Sequence, residues 1–185
     1  ESGVVISAIK GIEPKSNLII SEYFRRNFGV PDDHIAAIAG PCHAEEVAQE
    51  LTAYLTIGAI NSDLGNRIAD LLRRPHIYTQ TVQDLDGVEY AAVLKNIYAV
   101  ATGIAAGIGT GDNFRAVLVS SAAREMRAFL NAVLPGDRDI LHSVYIGDLL
   151  VTCYSQFSRN RTFGNMIGHG YSVRSAQLEM NMVAE

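Results

Sequence analysis

A short segment that begins at Asp148 holds the side chains with the clearest chemical potential. Asp148 and Thr152 stand four residues apart, so on a helix a carboxylate and a hydroxyl project from one face. Ser158 suits the N-cap of a following helix, which places Arg159 and Asn160 in its first turn. The N–H groups of that turn attract an anion, and an arginine fork binds a phosphate or carboxylate through two hydrogen bonds. The segment therefore predicts a site for a small phosphorylated substrate.

Lys95 is a second candidate, because its neighbours on a predicted helix carry no acid. The positions three and four residues away are Ala91, Ala92, Tyr98 and Ala99. A lysine in such surroundings either extends its amine to solvent or is buried for a function. Asn96 favours the second interpretation, since two adjacent polar residues then interrupt a nearly apolar helix.

Two further candidates follow predicted strands. Lys10 comes after the first strand, and Gly40, Pro41 and Cys42 come after the second. Ligands of α/β proteins bind at the carboxyl ends of strands, so both positions are candidates for ligand contact. An exposed loop lysine and a tight turn would explain the same residues without a function.

Composition limits the kinds of partner. With 15 Lys and Arg against 20 Asp and Glu, the net charge of -5 argues against nucleic acid. The two cysteines, Cys42 and Cys153, fit no metal spacing and are predicted to be buried thiols in a reducing compartment. The five histidines show no ligand spacing either, so we predict no metal site. The sequence shows neither a signal peptide nor an apolar run long enough for a membrane span, which predicts a soluble cytoplasmic protein.

The first part of the chain, up to about residue 83, alternates between two patterns. Short runs rich in β-branched residues alternate with amphipathic stretches, which is typical of an α/β layer. Pro41 is expected in the first turn of a helix, with Glu45 and Glu46 nearby. The predicted strands are 4–8, 35–39, 53–60 and 76–79, and the predicted helices are 17–28, 41–51 and 62–73.

From residue 84 onward the pattern is helical throughout. Helices are predicted at 88–105, from a cap at Asp112 or Asn113 to 134, and near 148–155, 158–167 and 172–180. The glycines at 103, 107, 109 and 111 are predicted to form a tight connection between two helices. The predicted fold is therefore α/β followed by all-α, with domains at 1–83 and 84–185. The sequence predicts a fragment that is cut at both ends, because a pattern typical of a fully buried strand opens the chain and helical periodicity closes it.

Five motifs, in order, resemble bacterial-type NAD(P)-dependent glycerol-3-phosphate dehydrogenases. They are Ser7-Ala8-Ile9-Lys10-Gly11, Gly40-Pro41-Cys42-His43-Ala44-Glu45-Glu46-Val47, residues 87–96 ending in Lys95-Asn96, Gly109-Thr110-Gly111-Asp112-Asn113, and Gly147-Asp148-Leu149 with Thr152-Cys153 and Ser158-Arg159-Asn160. The resemblance covers nearly the whole chain, and five linked motifs are far more specific than any one of them.

The resemblance implies the C-terminal portion of a Rossmann-type nucleotide-binding domain joined to a truncated helical substrate domain. The family's glycine-rich loop lies upstream of the first strand seen here, and no Gly-x-Gly-x-x-Gly precedes Val4. By itself this piece is then expected to be inactive. The implied enzyme is a homodimer that interconverts sn-glycerol 3-phosphate and dihydroxyacetone phosphate with NAD or NADP, supplying glycerol 3-phosphate for phospholipid synthesis.

The resemblance also assigns roles to residues. Lys95 is implied as general acid and base, and Asp148 as the catalytic residue that orients it. The implied substrate-binding residues are Lys10, Gly40, Cys42, Lys95, Asn96, Asp148, Thr152, Ser158, Arg159 and Asn160. The implied cofactor-binding residues are Lys10, Ala44, Arg159, Val183 and Glu185.

Three places depart from the family's usual pattern. The family commonly has serine at the position of Cys42 and an aromatic residue at the position of His43. Small residues are usual where this chain has His142-Ser143-Val144-Tyr145-Ile146-Gly147.

Two alternative functions fit parts of the pattern. A related 3-hydroxyacid or ketopantoate-type dehydrogenase would also carry a lysine on a helix of its second domain, but it would leave the anion-binding segment at 158–160 without a purpose. A non-enzymatic helical module could bind phosphate or RNA through Arg159 and Arg161. The acidic composition and the lack of aromatic residues beside a basic patch argue against that module.

Overall fold

A computed structural model describes residues 3–180 of the chain, and these residues divide into two compact units. The first, here called the sheet unit, comprises the residues up to Val93 together with Leu141–Asp148. The second, the helical unit, comprises Leu94–Ile140 and the residues from Leu149 onward. The predicted domain boundary between residues 83 and 84 stays a prediction.

The sheet unit alternates strands with helices, as predicted. Its elements are β1 (Val5–Ser7), α1 (Ile20–Phe28), β2 (Ile35–Ala39), α2 (Ala44–Val47), β3 (Ala53–Ala59), α3 (Ser62–Leu72) and β4 (Ile77–Val82). The four strands form one sheet in the order β1-β2-β3-β4. β1 runs parallel to β2 and β3 runs parallel to β4, whereas β2 and β3 are antiparallel.

Helix α3 covers one face of this sheet. Its apolar residues recur at spacings of four and one, which places them on a single stripe. Asn61 caps the helix by accepting hydrogen bonds from the backbone N–H groups of Asp63 and Leu64, at 3.0 and 3.2 Å. The core formed in this way contains Ala36, Ile57, Ala59, Leu64, Ile68 and Ala69.

Two predictions about this unit were wrong in detail. The first strand is not fully buried, since the side chain of Ile6 is 48% exposed. The reason is that β1 lies at an edge of the described sheet and pairs there with β2. The helix expected at 41–51 is the single turn α2, which begins at Ala44. Pro41 cannot join that turn because its carbonyl accepts the N–H of Tyr54, at 3.2 Å, next to β3.

The remaining helices are long or closely packed. They are α4 (Leu85–Gly107), α5 (Gly111–Val133), α6 (Asp148–Tyr154), α7 (Arg159–Gly168) and α8 (Val173–Glu179), with a π-helix at Ser143–Gly147. Along α5 the buried positions Val119, Ala122, Met126 and Leu130 recur at helical spacing, as expected for a helix with one face packed inward. Among residues 3–180, no helix is long and apolar enough to cross a membrane.

The start of α5 differs from the prediction. Neither Asp112 nor Asn113 caps it, because the helix already begins at Gly111 and both residues lie in its first turn. Asp112 forms an ion pair with Arg115 instead. The N-cap position is Thr110, whose hydroxyl donates to the carbonyl of Ala105 at 2.9 Å, near the end of α4.

The glycine run was only half correctly predicted. Gly109 and Gly111, both with φ of +78°, lie in the connection between α4 and α5, where left-handed backbone favours glycine. Gly103 and Gly107 lie inside α4. A Cβ added to Gly103 would come within 2.1 Å of a backbone oxygen of α7, and one added to Gly107 within 2.4 Å.

Helix α7 presents the matching surface. A Cβ on Gly164 would lie 2.1 Å from a backbone oxygen of α4, and one on Gly168 would lie 2.5 Å from another. The two helices therefore cross backbone to backbone. Four glycines replace the side chains that would otherwise hold the axes apart by 8–10 Å.

Candidate functional site

In the sheet unit, two predicted site residues that are 108 positions apart in sequence are in contact. The backbone N–H of Gly40 donates to Oδ2 of Asp148 at 3.1 Å, and the Asp148 side chain is only 2% exposed. Gly40 has φ of +116°, and an added Cβ would lie 2.7 Å from the carbonyl oxygen of Tyr54. Only glycine fits this turn, so the backbone donor and the buried carboxylate are held in one geometry.

The carboxylate stands at a change of helix type. The π-helix Ser143–Gly147 ends where α6 begins, so Asp148 is the first residue of the α-helix. Val144 and Tyr145 are buried. Single π-turns joined to α-helices are rare and occur frequently at functional sites. The π-helix therefore leads directly into the residue that carries the buried carboxylate.

Three other predicted residues of the sheet unit lie in the loops after β1 and β2. Lys10 is half-buried, three residues beyond the end of β1. Cys42 is also half-buried, which corrects the prediction of a buried thiol, while Ala44 is exposed at the start of α2. Because β1 and β2 are parallel, their carboxyl ends and these loops share one edge of the sheet.

In the helical unit, Lys95 is buried. Its side chain is 4% exposed, so of the two interpretations of this lysine the buried one is correct. Asn96 beside it is half-buried. A buried ammonium requires polar or anionic partners, because the desolvation of a charge costs far more than the desolvation of an apolar group.

A buried thiol lies within reach of the Lys95 charge. Cys153 is fully buried, as predicted, and burial raises its pKa to about 11. A hydrogen bond with Thr102 and the positive charges of Lys95 and Arg161 act in the opposite direction on that pKa. Two cations therefore act on one thiol that stays neutral at ordinary pH.

The start of α7 has the arrangement predicted from the sequence. Ser158 is its N-cap and accepts the backbone N–H of Arg161 at 3.3 Å, and Arg159 and Asn160 fill the first turn. Asn160 is 5% exposed, and its Oδ1 has no hydrogen-bond partner within the described residues. A buried amide oxygen of this kind is rare in folded proteins and suits a donor supplied by a ligand.

The other predicted residues fall on three different parts of the chain. Thr152 is buried on α6, four positions after Asp148, and Arg159 is half-buried. Val183 and Glu185, which the resemblance implies as cofactor contacts, lie outside the described residues.

Sequence reasoning missed Thr102. It is fully buried, bonds to Cys153 and also donates to the carbonyl of Ala99 at 3.0 Å. A signal was present, because Thr102 stands seven positions after Lys95 and so shares its helix face. Gln80 and Ser143 were missed as well, and no short-range pattern in the sequence would have paired them.

This combination defines a class of protein: a Rossmann-like sheet unit with loops at one strand edge, followed by a helical unit with a buried lysine and a serine-capped helix. Two family models match the chain and agree with this division into a Rossmann-like part and a helical part. The model of the NAD-dependent glycerol-3-phosphate dehydrogenase N-terminus matches residues 1–64, and that of its C-terminus matches residues 84–185. The chain belongs to this family.

Individual relatives bear the same name. A glycerol-3-phosphate dehydrogenase [NAD(P)+] from Chlorobium limicola is 39% identical over 98% of this chain and 55% of its own length. One from Thermobifida fusca is 34% identical over 98% of this chain and 54% of its own length. The chain thus spans about half the length of the curated relatives that it matches.

A solved structure shares the fold. The crystal structure of glycerol-3-phosphate dehydrogenase from Coxiella burnetii superposes with a TM-score of 0.90 at 30% identity, over 98% of this chain and 55% of that one. The fold class, a Rossmann-type portion followed by a helical portion, is thereby confirmed.

Proposed function

We propose that an enzyme containing this sequence interconverts sn-glycerol 3-phosphate and dihydroxyacetone phosphate, with NAD or NADP as hydride carrier. The observation that carries the proposal is the buried Lys95, on a helix of the part that matches the family's C-terminal model. An ordinary structural lysine would be exposed, because burying an ammonium is costly.

Lys95 is the proposed general acid and base. When the ketone is reduced, negative charge develops on its oxygen, and an ammonium within hydrogen-bond distance can stabilise that charge and then donate a proton. In the reverse direction the amine accepts the proton of the alcohol. The neutral thiol of Cys153 suits this role, because it can lie near the ammonium without forming an ion pair that would compete with the substrate.

Asp148 is proposed to orient the lysine and the substrate. Its contact with the N–H of Gly40 fixes the orientation of the carboxylate, whose oxygens can accept a hydrogen bond from a hydroxyl or an ammonium. A carboxylate that is fixed before the substrate binds does not have to be reorganised in the transition state.

The start of α7 is proposed to bind the phosphate. Arg159 can donate two parallel hydrogen bonds, and the N-terminal N–H groups and helix dipole favour an anion. The Oδ1 of Asn160 can accept a substrate hydroxyl. The remaining substrate contacts, proposed from the family resemblance, are Lys10, Gly40, Cys42, Asn96, Thr152 and Ser158.

The loops of the sheet unit are compatible with the edge of a dinucleotide site. Lys10 and Ala44 lie beyond the carboxyl ends of two parallel strands, where ligands of α/β sheets bind. The cofactor would supply hydride transfer. Lys10 would add a positive charge beside the phosphates of the cofactor, and Arg159 is proposed from the family resemblance as a further cofactor contact.

The test is an assay of an intact enzyme that contains these residues. We expect oxidation of NADH or NADPH that depends on dihydroxyacetone phosphate, and no comparable rate with carbonyl compounds that lack a phosphate. A preference for an unphosphorylated 3-oxoacid or for ketopantoate would contradict the proposal and favour the alternative dehydrogenases.

A single substitution tests the role of Lys95. Lys95→Ala should lower kcat by about 10²–10⁴-fold, the range for loss of a general acid–base group. Lys15→Ala is the matched control, because Lys15 is exposed in a loop of the sheet unit. Turnover of Lys95→Ala near that of the control would rule out the assignment.

The biological setting follows from the same proposal. We expect a cytoplasmic homodimer whose product feeds phospholipid synthesis. Light scattering of the intact enzyme would test its oligomeric state.

A further inference from the structure

We infer that Gln80 and Ser143 are positioning residues that hold Asp148 through a closed ring of contacts within the sheet unit. The significance of the ring for catalysis rests on the proposed function of Asp148. Its structural part, which is that these two side chains fix the carboxylate, stands independently of that function.

The ring begins at β3. Thr56 is fully buried and is the register partner of Gln80 on β4, so the two side chains lie on one face of the sheet. Nε2 of Gln80 donates to the hydroxyl of Thr56 at 3.0 Å. The same nitrogen also donates to the hydroxyl of Ser143. One amide group therefore joins the sheet to the first residue of the π-helix.

The ring closes through Asp148 and Gly40. The π-helix runs from Ser143 to Gly147, and the next residue, Asp148, accepts the N–H of Gly40. Gly40 in turn directly follows Ala39, which is the register partner of Thr56 on β3. Thr56 thus lies beside both sides of the ring, since its backbone pairs with the strand that leads into Gly40 and its hydroxyl accepts from Gln80.

A second bond supports the same turn. The hydroxyl of Tyr145, in the middle of the π-helix, donates to Oδ2 of Asp84, just before α4 begins. Tyr145 is buried and Asp84 is half-buried, so this bond is partly shielded from solvent. The π-helix is therefore attached at its first and third residues.

The physical reason for the anchors lies in the π-helix itself. A π-turn is less stable than an α-turn and needs tertiary contacts to persist. Any displacement of the π-turn also displaces Asp148, the first residue after it. The side chains of Ser143 and Tyr145 make the bonds that anchor the π-helix. These bonds therefore restrain the turn that leads into Asp148.

The test uses two substitutions that both remove the bond between Gln80 and Ser143, and Gln80→Met also removes the bond to Thr56. Gln80→Met keeps the length of the side chain without its donors, and Ser143→Ala removes the hydroxyl. Because Gln80→Met already removes the bond to Ser143, the double variant should lose little more than Gln80→Met alone. Gln83 and Ser62 form the matched control, since they make a bond of the same type at an exposed position.

In the intact enzyme, both variants should lower kcat by roughly tenfold or more while KM for dihydroxyacetone phosphate changes little, because small misplacements of an orienting group slow the chemical step. Gln83→Met and Ser62→Ala should leave both constants unchanged. If the variants lose no more activity than the controls, Gln80 and Ser143 do not position a group used in the reaction.

The backbone amide of Gly40 gives a readout that does not depend on activity. Its hydrogen exchange, followed by NMR, should accelerate roughly tenfold or more in Gln80→Met and Ser143→Ala, since a bond to a charged acceptor is weakened. Asp148→Asn gives the reference for a weakened acceptor. Unchanged Gly40 exchange in both variants would overturn the inference.

The two readouts also separate this inference from the proposed function. Faster Gly40 exchange in a protein that shows no activity with dihydroxyacetone phosphate would retain the ring and reject the enzyme assignment. An active enzyme whose Gly40 amide does not respond would retain the function and reject the ring.

Discussion

The two units hold their proposed site residues by different means. In the sheet unit, Asp148 is fixed by hydrogen bonds from the backbone of Gly40 and, indirectly, from the side chain of Gln80. In the helical unit, α4 and α7 carry Lys95 and Asn160 and are pressed together through four glycines. The sheet unit depends on hydrogen bonds between complementary polar groups. The helical unit depends on glycines, whose lack of a side chain lets two helices pack closely.

This difference predicts how each unit responds to mutation. A hydrogen bond can be removed one partner at a time, at a net cost of about 0.5–1.5 kcal/mol for a neutral pair. A backbone contact between two helices cannot be weakened in such small steps, because even one added methyl group must displace a whole helix. We therefore expect graded effects in the sheet unit and abrupt effects in the helical unit.

The largest effect is expected from Gly164→Ala. The new methyl group would lie 2.1 Å from the carbonyl oxygen of Val100, so α7 must move away from α4. Overpacking of a rigid interface costs about 1–3 kcal/mol, and a clash with backbone belongs at the upper end of that range. The free energy of unfolding from a denaturant titration measures it.

Gly136→Ala is the control in the same unit. A Cβ there has no heavy atom within 4 Å and the backbone is not left-handed, so its effect should stay within about 0.5 kcal/mol. If Gly164→Ala were tolerated as well as Gly136→Ala, the helices would not be held by backbone contact and the contrast between the units would fail.

A smaller and more even effect is expected at two helix caps, one in each unit. Ser158 caps α7 and Asn61 caps α3, in both cases through a side-chain oxygen that accepts a backbone N–H. Replacement of either by alanine should cost about 1 kcal/mol of stability. Ser158→Ala should in addition raise KM for dihydroxyacetone phosphate.

The paired design separates stability from substrate binding at these caps. Equal loss of stability with a raised KM only for Ser158→Ala would support the phosphate site at α7. A raised KM for Asn61→Ala of the same size would attribute the effect to general destabilisation instead.

Much of the fold could be predicted because its signals are local. Strand β2 was predicted to the residue at 35–39, and the cap at Ser158 was confirmed, since β-branched runs and capping residues act within a few positions. The errors were at β1, α2 and the start of α5. There the outcome depends on edge position and on bonds to distant backbone, which local patterns do not contain.

In the candidate site, too, local features could be predicted from the sequence and contacts between distant residues could not. The first turn of α7 followed from capping, whereas the sequence left an exposed and a buried interpretation of Lys95 open, and only its neighbour Asn96 favoured the buried one. The contact between Gly40 and Asp148 and the ring through Gln80 join residues that are far apart in sequence. Such pairings are set by sheet register and by the π-helix, so a single sequence cannot reveal them.

The smallest effect on stability is expected at two carboxylates of the sheet unit whose pKa values shift in opposite directions. Glu89 is buried, and Oε2 accepts the backbone N–H of Ser21 at 2.9 Å at the start of α1. Burial raises its pKa, although the hydrogen bonds from Ser21 oppose the rise. Glu22 behaves oppositely, because its bonds with Arg25 and Arg26 lower its pKa.

These directions fix the pH dependence of each variant. The folded protein holds a proton on Glu89 more tightly than the unfolded chain does, so the contribution of Glu89 to stability is lost as pH rises through its folded pKa. Glu89→Gln should thus gain stability relative to wild type toward neutral pH, by less than about 1 kcal/mol because the bond to Ser21 loses its charge. Glu22→Gln should lose stability at neutral pH and match wild type in acid. Free energies of unfolding between pH 4 and 8 measure both, and slopes of the same sign would contradict the assigned environments of the two carboxylates.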